Sequence, residues 1–87
     1  MAEAVGRRLR ALAQAQQVVC VTHQAPVARF AERHFLVTKQ VRGERTEVAV
    51  RELAWDERVA ELARLIGAED AAAGLATARW MLEEAHK

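Results

Sequence analysis

The feature that most constrains this chain is a short run of apolar residues, Val18-Val19-Cys20-Val21, whose apolar positions are continuous rather than alternating. A continuous and largely β-branched run of this length is typical of a strand that is covered on both faces, as in a parallel sheet. Parallel pairing requires a second strand after a crossover, and the 87 residues provide no such partner. The sequence therefore predicts a sheet strand that lacks part of its own sheet.

An amphipathic helix is predicted before this run, over residues 2–17. Val5, Leu9 and Leu12 recur three or four residues apart, with arginines between them, which is the spacing of one helix face. No Ser, Thr, Asp or Asn precedes the helix as a cap. An uncapped start favours a natural chain that continues upstream of Met1.

After the apolar run, the sequence predicts a loop, a short helix and a β-hairpin. Pro26 suits the first turn of a helix over residues 26–33. Residues 34–41 and 46–53 have the composition of two strands. Gly43 lies between them and can adopt the positive φ that a tight turn needs.

The last third of the chain is predicted to be helical. Asp56 is a candidate cap for one helix, which Gly67 ends, and Asp70 is a candidate cap for the next. The apolar stripe of that final helix consists of Ala71, Leu75, Ala78, Leu82 and Ala85. The chain is thus predicted to be a single α/β domain over residues 1–87.

Composition excludes several classes of protein. A net charge of +1 does not favour nonspecific binding to nucleic acids or membranes. No apolar run approaches the roughly 18–20 residues of a membrane span, and one cysteine allows neither an internal disulfide nor a four-cysteine zinc site. These features favour a cytoplasmic protein. Arginine supplies 11 of the 13 basic residues, which fits either a phosphate-binding surface or a GC-rich coding sequence.

His23 is the residue best placed for chemistry. It follows the predicted strand, and ligands of open α/β sheets bind at the carboxyl ends of strands. A neutral imidazole can donate one hydrogen bond and accept another. Alternatively, His23 caps the following helix or faces solvent. Cys20 lies inside the apolar run and is therefore predicted to be a small buried hydrophobe. A reactive Cys20–His23 pair is not expected, because residues three apart on a strand point to opposite faces.

Other candidate residues have structural interpretations. His34 and His86 have no ligand partners at metal spacing, so no metal site is predicted. Trp55 and Trp80 are interpreted as packing residues. The sequence contains neither a phosphate loop nor a glycine-rich dinucleotide turn, and it therefore cannot be a self-sufficient nucleotide-hydrolysing enzyme.

The segment Gln17-Val18-Val19-Cys20-Val21-Thr22-His23, followed by Val27-Ala28, resembles the strand and switch-histidine loop of ABC-type ATPases. More narrowly, the chain resembles the C-terminal part of the RecN family of bacterial DNA repair proteins, which are relatives of the SMC proteins. Two later segments carry this narrower resemblance, Glu61-Leu62-Ala63-Arg64-Leu65-Ile66-Gly67 and the closing helix from Leu75. One departure is that Gln24 and Ala25 precede Pro26, where the family has Leu then Pro.

The resemblance implies a fold and a site. The fold would be the C-terminal lobe of an ABC/SMC-type P-loop ATPase head, with a sheet strand, a switch-histidine loop, a β-hairpin and C-terminal helices. His23 would be the catalytic switch histidine that contacts the γ-phosphate of ATP. Gln24 would be a weaker cofactor-binding residue and Thr22 a supporting one. ATP and Mg²⁺ would bind the intact protein, and this fragment alone would hold neither.

The resemblance also implies partners. These are the upstream lobe of the same head, a second head in an ATP-dependent dimer, and DNA, but no membrane. The intact protein would act in double-strand break repair and recombination at the bacterial nucleoid. The alternative is a stand-alone protein-interaction module, in which the hairpin and the terminal helices bind a partner and His23 has no catalytic role.

Overall fold

The computed structural model describes residues 2–87 and shows a small α/β fold. Within these residues, four helices accompany one two-stranded antiparallel sheet. The elements are α1 (Ala2–Ala13), α2 (Ala25–Ala28), β1 (Phe35–Arg42), β2 (Arg45–Glu52), α3 (Trp55–Ile66) and α4 (Ala71–Ala85). None of the helices in this described range is both long enough and apolar enough to cross a bilayer.

The hydrophobic core lies between α3 and α4. Val59 and Leu62 of α3 pack against Ala78 and Leu82 of α4, and all four are almost fully buried. The spacing of three or four residues places each pair on one face of its helix, so the two stripes meet. The short helix α2 closes one side of this core with two buried alanines.

The ends of α3 and α4 confirm two of the three predicted end signals. Gly67 ends α3 with φ +70°, a left-handed conformation that glycine adopts without steric cost. The Asp70 carboxylate caps α4 by accepting the Ala72 N–H at 2.9 Å. The prediction for Asp56 was wrong, because α3 begins at Trp55 and Ala54 is its N-cap. Glu57 reaches back and accepts the Ala54 N–H at 3.0 Å, as in half of a capping box.

The β-hairpin is confirmed, with strands of eight residues each. The register pairs Phe35 with Glu52 at the base and Arg42 with Arg45 at the tip. Gly43 opens the two-residue turn with φ +62°, the conformation that favours glycine at this position of a hairpin turn.

Residues 18–21, predicted as a strand that lacks part of its own sheet, form no strand in this chain. The segment is neither helix nor strand, and Val19 and Val21 are 84% and 98% exposed. No strand within residues 2–87 lies beside it, so its backbone has no ladder to join. The prediction that Cys20 is buried fails for the same reason, since Cys20 is exposed.

Both early helices are shorter than predicted. After Ala13, the amides of Gln14 and Ala15 bond to carbonyls three residues back, which is the tight geometry of a terminating turn. The helix predicted over residues 26–33 ends at Ala28, where Phe30 and Ala31 make the same kind of bond. This turn directs the Phe30 side chain into a buried position.

Candidate functional site

His23 lies on an exposed loop at the entrance to α2. The next residue, Gln24, is the N-cap of α2, and its carbonyl oxygen accepts the Val27 and Ala28 N–H groups, each at 3.0 Å. The Gln24 N–H donates in turn to the Thr22 hydroxyl at 3.0 Å. Hydrogen bonds therefore hold the backbone on either side of His23 while its imidazole stays at the surface.

The loop rests on α2, and a buried arginine anchors the end of α2. Arg29 is only 6% exposed. Its Nη1 donates to the Met81 carbonyl oxygen of α4 at 3.2 Å, and its Nη2 pairs with the Glu3 carboxylate of α1. One guanidinium therefore connects the end of α2 to both α1 and α4.

Phe30 forms the second part of this anchor. Its ring is buried and is flanked by the guanidinium groups of Arg7, Arg10 and Arg29, the last with its central carbon 4.6 Å from the ring centroid. Arginine favours the face of an aromatic ring because the ring quadrupole attracts its charge. Gly6 of α1 lies directly against this ring, and a side chain there would overlap it.

A second buried arginine fixes the chain between α2 and β1. Arg58 of α3 is 5% exposed and donates from Nη2 to the Ala31 carbonyl oxygen at 2.7 Å. Burial lowers the pKa of Arg58. Burial also lowers the pKa of the neighbouring His34, and the positive charge of Arg58 adds to this effect. Both effects favour the neutral form of His34 at the base of the hairpin.

His86 follows α4 and contacts the residue that ends α2. Its Nε2 lies 2.8 Å from the Arg29 carbonyl oxygen, and its ring meets Trp55 edge to face at 5.8 Å between centroids. Burial is the main cause that lowers the pKa of His86. Trp55 is therefore a packing residue, as predicted, and His86 packs against it. Trp80 differs from the prediction, because it is largely exposed on the outer side of α4.

Sequence analysis missed the two buried arginines, Arg29 and Arg58. Both belong to the general excess of arginine in this sequence. That excess was explained either by a phosphate-binding surface or by a GC-rich coding sequence. The signal for Arg29 is its place within residues 25–31, which are otherwise uncharged and mostly apolar. A charged residue inside such a stretch is buried only when hydrogen bonds satisfy it, so its burial depends on acceptors that sequence alone does not show.

The exposed His23 loop presents an imidazole that can contact a ligand. No group of three His, Cys, Asp or Glu side chains in residues 2–87 is arranged to hold a metal ion. Across the same residues, no side chain hydrogen-bonds to the His23 imidazole. The exposed ring can therefore contact an oxygen atom of an external ligand, but the chain has no phosphate loop to hold a nucleotide.

Comparison with known proteins gives a consistent set of relatives. No family model matches the chain. A DNA repair protein RecN from Streptomyces coelicolor is 46% identical over 82 residues, which cover 93% of this chain. The RecN of Deinococcus radiodurans is 43% identical over 79 residues, covering 91%, and that of Vibrio cholerae is 42% identical over 66 residues, covering 76%. The chain spans 14%, 14% and 12% of the lengths of these three relatives.

Proposed function

Because this chain belongs to the RecN family of DNA repair proteins over nearly its whole length, we propose that it is the C-terminal lobe of an ATPase head and that His23 is its switch histidine. The observation that carries the proposal is the placement of His23. Hydrogen bonds fix the backbone beside it, and the imidazole is exposed and free to meet a ligand from outside the chain.

In this proposal, His23 contacts the γ-phosphate of ATP that is held by other parts of the head. Bound ATP and Mg²⁺ supply the phosphoryl group and the charge that neutralises it. The His23 imidazole donates a hydrogen bond to a phosphate oxygen and orients the attacking water. Such a contact stabilises the transition state when the donor is preorganised, and the fixed Gln24 backbone provides that preorganisation. Gln24 adds a weaker contact to ATP, and Thr22 supports the loop.

The same proposal assigns a role to residues 18–21. We infer that this segment forms a strand when the upstream lobe of the head provides a neighbouring strand. The support is the exposure of Val19 and Val21, two β-branched residues that the chain itself leaves uncovered. A second head and DNA complete the proposed set of partners, and the proposed activity is ATP hydrolysis coupled to the repair of double-strand breaks.

The test replaces His23 in a full-length protein. A chimera is made from the Streptomyces coelicolor RecN, with its matching segment exchanged for this chain. We expect His23→Ala to keep ATP affinity within a few-fold, because the phosphate loop dominates ground-state binding. Turnover should fall by roughly 10²-fold, as for loss of one preorganised donor.

Cys20→Ala is the control, since Cys20 lies three residues from His23 and has no part in the proposed contact with ATP. This variant should leave turnover nearly unchanged. If His23→Ala retains turnover within two-fold of the parent chimera, His23 has no catalytic role, and the alternative of an interaction module is favoured.

A further inference from the structure

The β-hairpin has one apolar face that no other helix or strand described within residues 2–87 covers. Cα partners in an antiparallel pair share a face, so the register divides the sixteen strand residues into two sets. We call one set the apolar hairpin face. It consists of Phe35, Val37, Lys39, Val41, Thr46, Val48, Val50 and Glu52.

The exposure of this face is unusual for its composition. Val41, Val48 and Val50 are 75%, 59% and 64% exposed. The opposite face carries mostly polar side chains, among them Gln40, Arg42, Glu47 and Arg51, as expected for a surface in contact with water. The contrast between the two faces indicates that the apolar hairpin face is covered in the functional protein, because contiguous exposed apolar patches mark interaction sites.

The total surface of the chain supports this conclusion. A folded monomer of this mass, 9.7 kDa, is expected to expose about 5,100 Å², whereas the chain exposes 6628 Å². The difference exceeds the roughly 800 Å² that each partner buries in a stable interface. The chain therefore has enough uncovered surface for an interface at the hairpin in addition to pairing at residues 18–21.

Lys39 indicates which charged group a partner on this face must carry. Its side chain lies on the apolar hairpin face opposite Val48. The other charged residue on that face, Glu52, already forms a bidentate ion pair with Arg33. Its carboxylate accepts from Arg33 Nη2 at 2.8 Å and from Nε at 3.0 Å. No carboxylate within residues 2–87 forms an ion pair with Lys39. An occupant that covers Lys39 must therefore bring a carboxylate, because a buried unpaired ammonium is costly.

The shape of the face favours a single helix. The two strands lie about 4.8 Å apart, and eight residues extend for about 27 Å. One α-helix, about 10 Å in diameter, matches this width and would span the length with about 18 residues. A second copy of the same face is disfavoured, because it would bring a second Lys39 in place of a carboxylate.

From these observations we propose that the apolar hairpin face binds an amphipathic helix that carries a carboxylate opposite Lys39. The helix belongs to the part of the full-length protein that lies outside this chain, since the chain spans 14% of the relatives it matches. This proposal does not depend on the role of His23, and its test does not use ATP turnover.

The test measures the reactivity of Lys39, and the chain contains its own control. Lys39 and Lys87 are the two lysines of the sequence. Both the 87-residue chain and the Streptomyces coelicolor chimera are treated briefly with an acetylating reagent, and modification is quantified by mass spectrometry. We expect acetylation of Lys39, relative to Lys87, to be at least ten-fold slower in the chimera. Equal relative reactivity in the two proteins would overturn the proposal.

Two variants distinguish a contact at the apolar hairpin face from a general effect on the hairpin. Val48→Gln places an uncharged polar group on the apolar hairpin face, and Ala49→Gln places the same group on the opposite face one residue away. Neither substitution gives Lys39 a carboxylate. We expect Val48→Gln, but not Ala49→Gln, to restore Lys39 acetylation in the chimera. Equal effects of the two substitutions would contradict a face-specific contact. A dimer of the 87-residue chain that Val48→Gln dissociates in sedimentation experiments would instead assign the face to a second copy.

Discussion

The guanidinium of Arg29 contacts more of the tertiary structure than any catalytic candidate does. It meets the Glu3 carboxylate of α1, the Met81 carbonyl of α4 and the ring of Phe30, while its own backbone follows α2. At the scale of single residues, the fold therefore depends on a buried charge whose partners come from three separate parts of the chain. By contrast, the exposed arginines pair mainly with carboxylates nearby on the surface.

Replacing this charge should be far more damaging than replacing an exposed one. We expect Arg29→Ala to lower the free energy of unfolding by about 2–4 kcal/mol, since it leaves the Met81 carbonyl without its donor and opens a cavity beside Phe30. Arg33→Ala is the control, because Arg33 is exposed and its pair with Glu52 is screened by water. Urea unfolding monitored by tryptophan fluorescence measures both. Similar losses for the two variants would contradict the role assigned to Arg29.

At the scale of elements, the order of secondary structure follows the sequence closely, but the packing between elements does not. The hairpin and α4 have the bounds that local patterns predict, within one or two residues. The position of α1 depends on something else, namely the close approach of Gly6 to the Phe30 ring. That contact joins two residues 24 positions apart, and helix spacing gives no sign of it.

Gly6→Ala tests this contact against helix propensity. Alanine stabilises a helix interior by about 1 kcal/mol relative to glycine, so propensity alone predicts a more stable protein. We expect the opposite, a loss of about 1–3 kcal/mol, because the added methyl group overlaps Phe30 and forces α1 away from α2. Thermal unfolding followed by circular dichroism gives the sign directly. A higher Tm for Gly6→Ala would show that α1 does not pack as described.

At the scale of the whole molecule, the four helices and the base of the hairpin meet in a region rich in basic groups. His34 and His86 lie there with Arg58, Arg29 and Arg10, and the nearby carboxylates include Glu61 and Glu32. Burial is the largest cause that lowers the pKa of each histidine. Protonating either histidine ring would therefore add positive charge to a region that already contains three arginines.

This arrangement predicts that the fold is less stable in acid. The ordinary pKa of histidine is 6.5, and the folded-state values of His34 and His86 lie below it. Between these values the unfolded chain binds more protons, so the free energy of unfolding falls as the pH drops below 6.5. Above 6.5 both states are neutral at these positions and the effect disappears.

We expect a lower Tm at pH 5.5 than at pH 7.5, measured at constant ionic strength. The variant with both His34→Gln and His86→Gln should show a smaller difference between the two pH values, because neither glutamine titrates. An unchanged difference in this variant would assign the acid sensitivity to other groups.

The sequence by itself determined the α/β class, the hairpin with its glycine turn, the two C-terminal helices and the presence of a loop at His23. Each of these depends on local patterns, such as β-branched runs, glycine at positive φ, capping by Asp70 and apolar residues spaced three or four apart. Tertiary structure decided that residues 18–21 stay outside any sheet, that α2 stops at Ala28, and that Arg29 and Arg58 are buried. The physical reason is that a strand needs a neighbouring strand, which residues 2–87 do not offer to residues 18–21. A buried charge needs hydrogen-bond acceptors, and those of Arg29 and Arg58 come from residues far away in the chain.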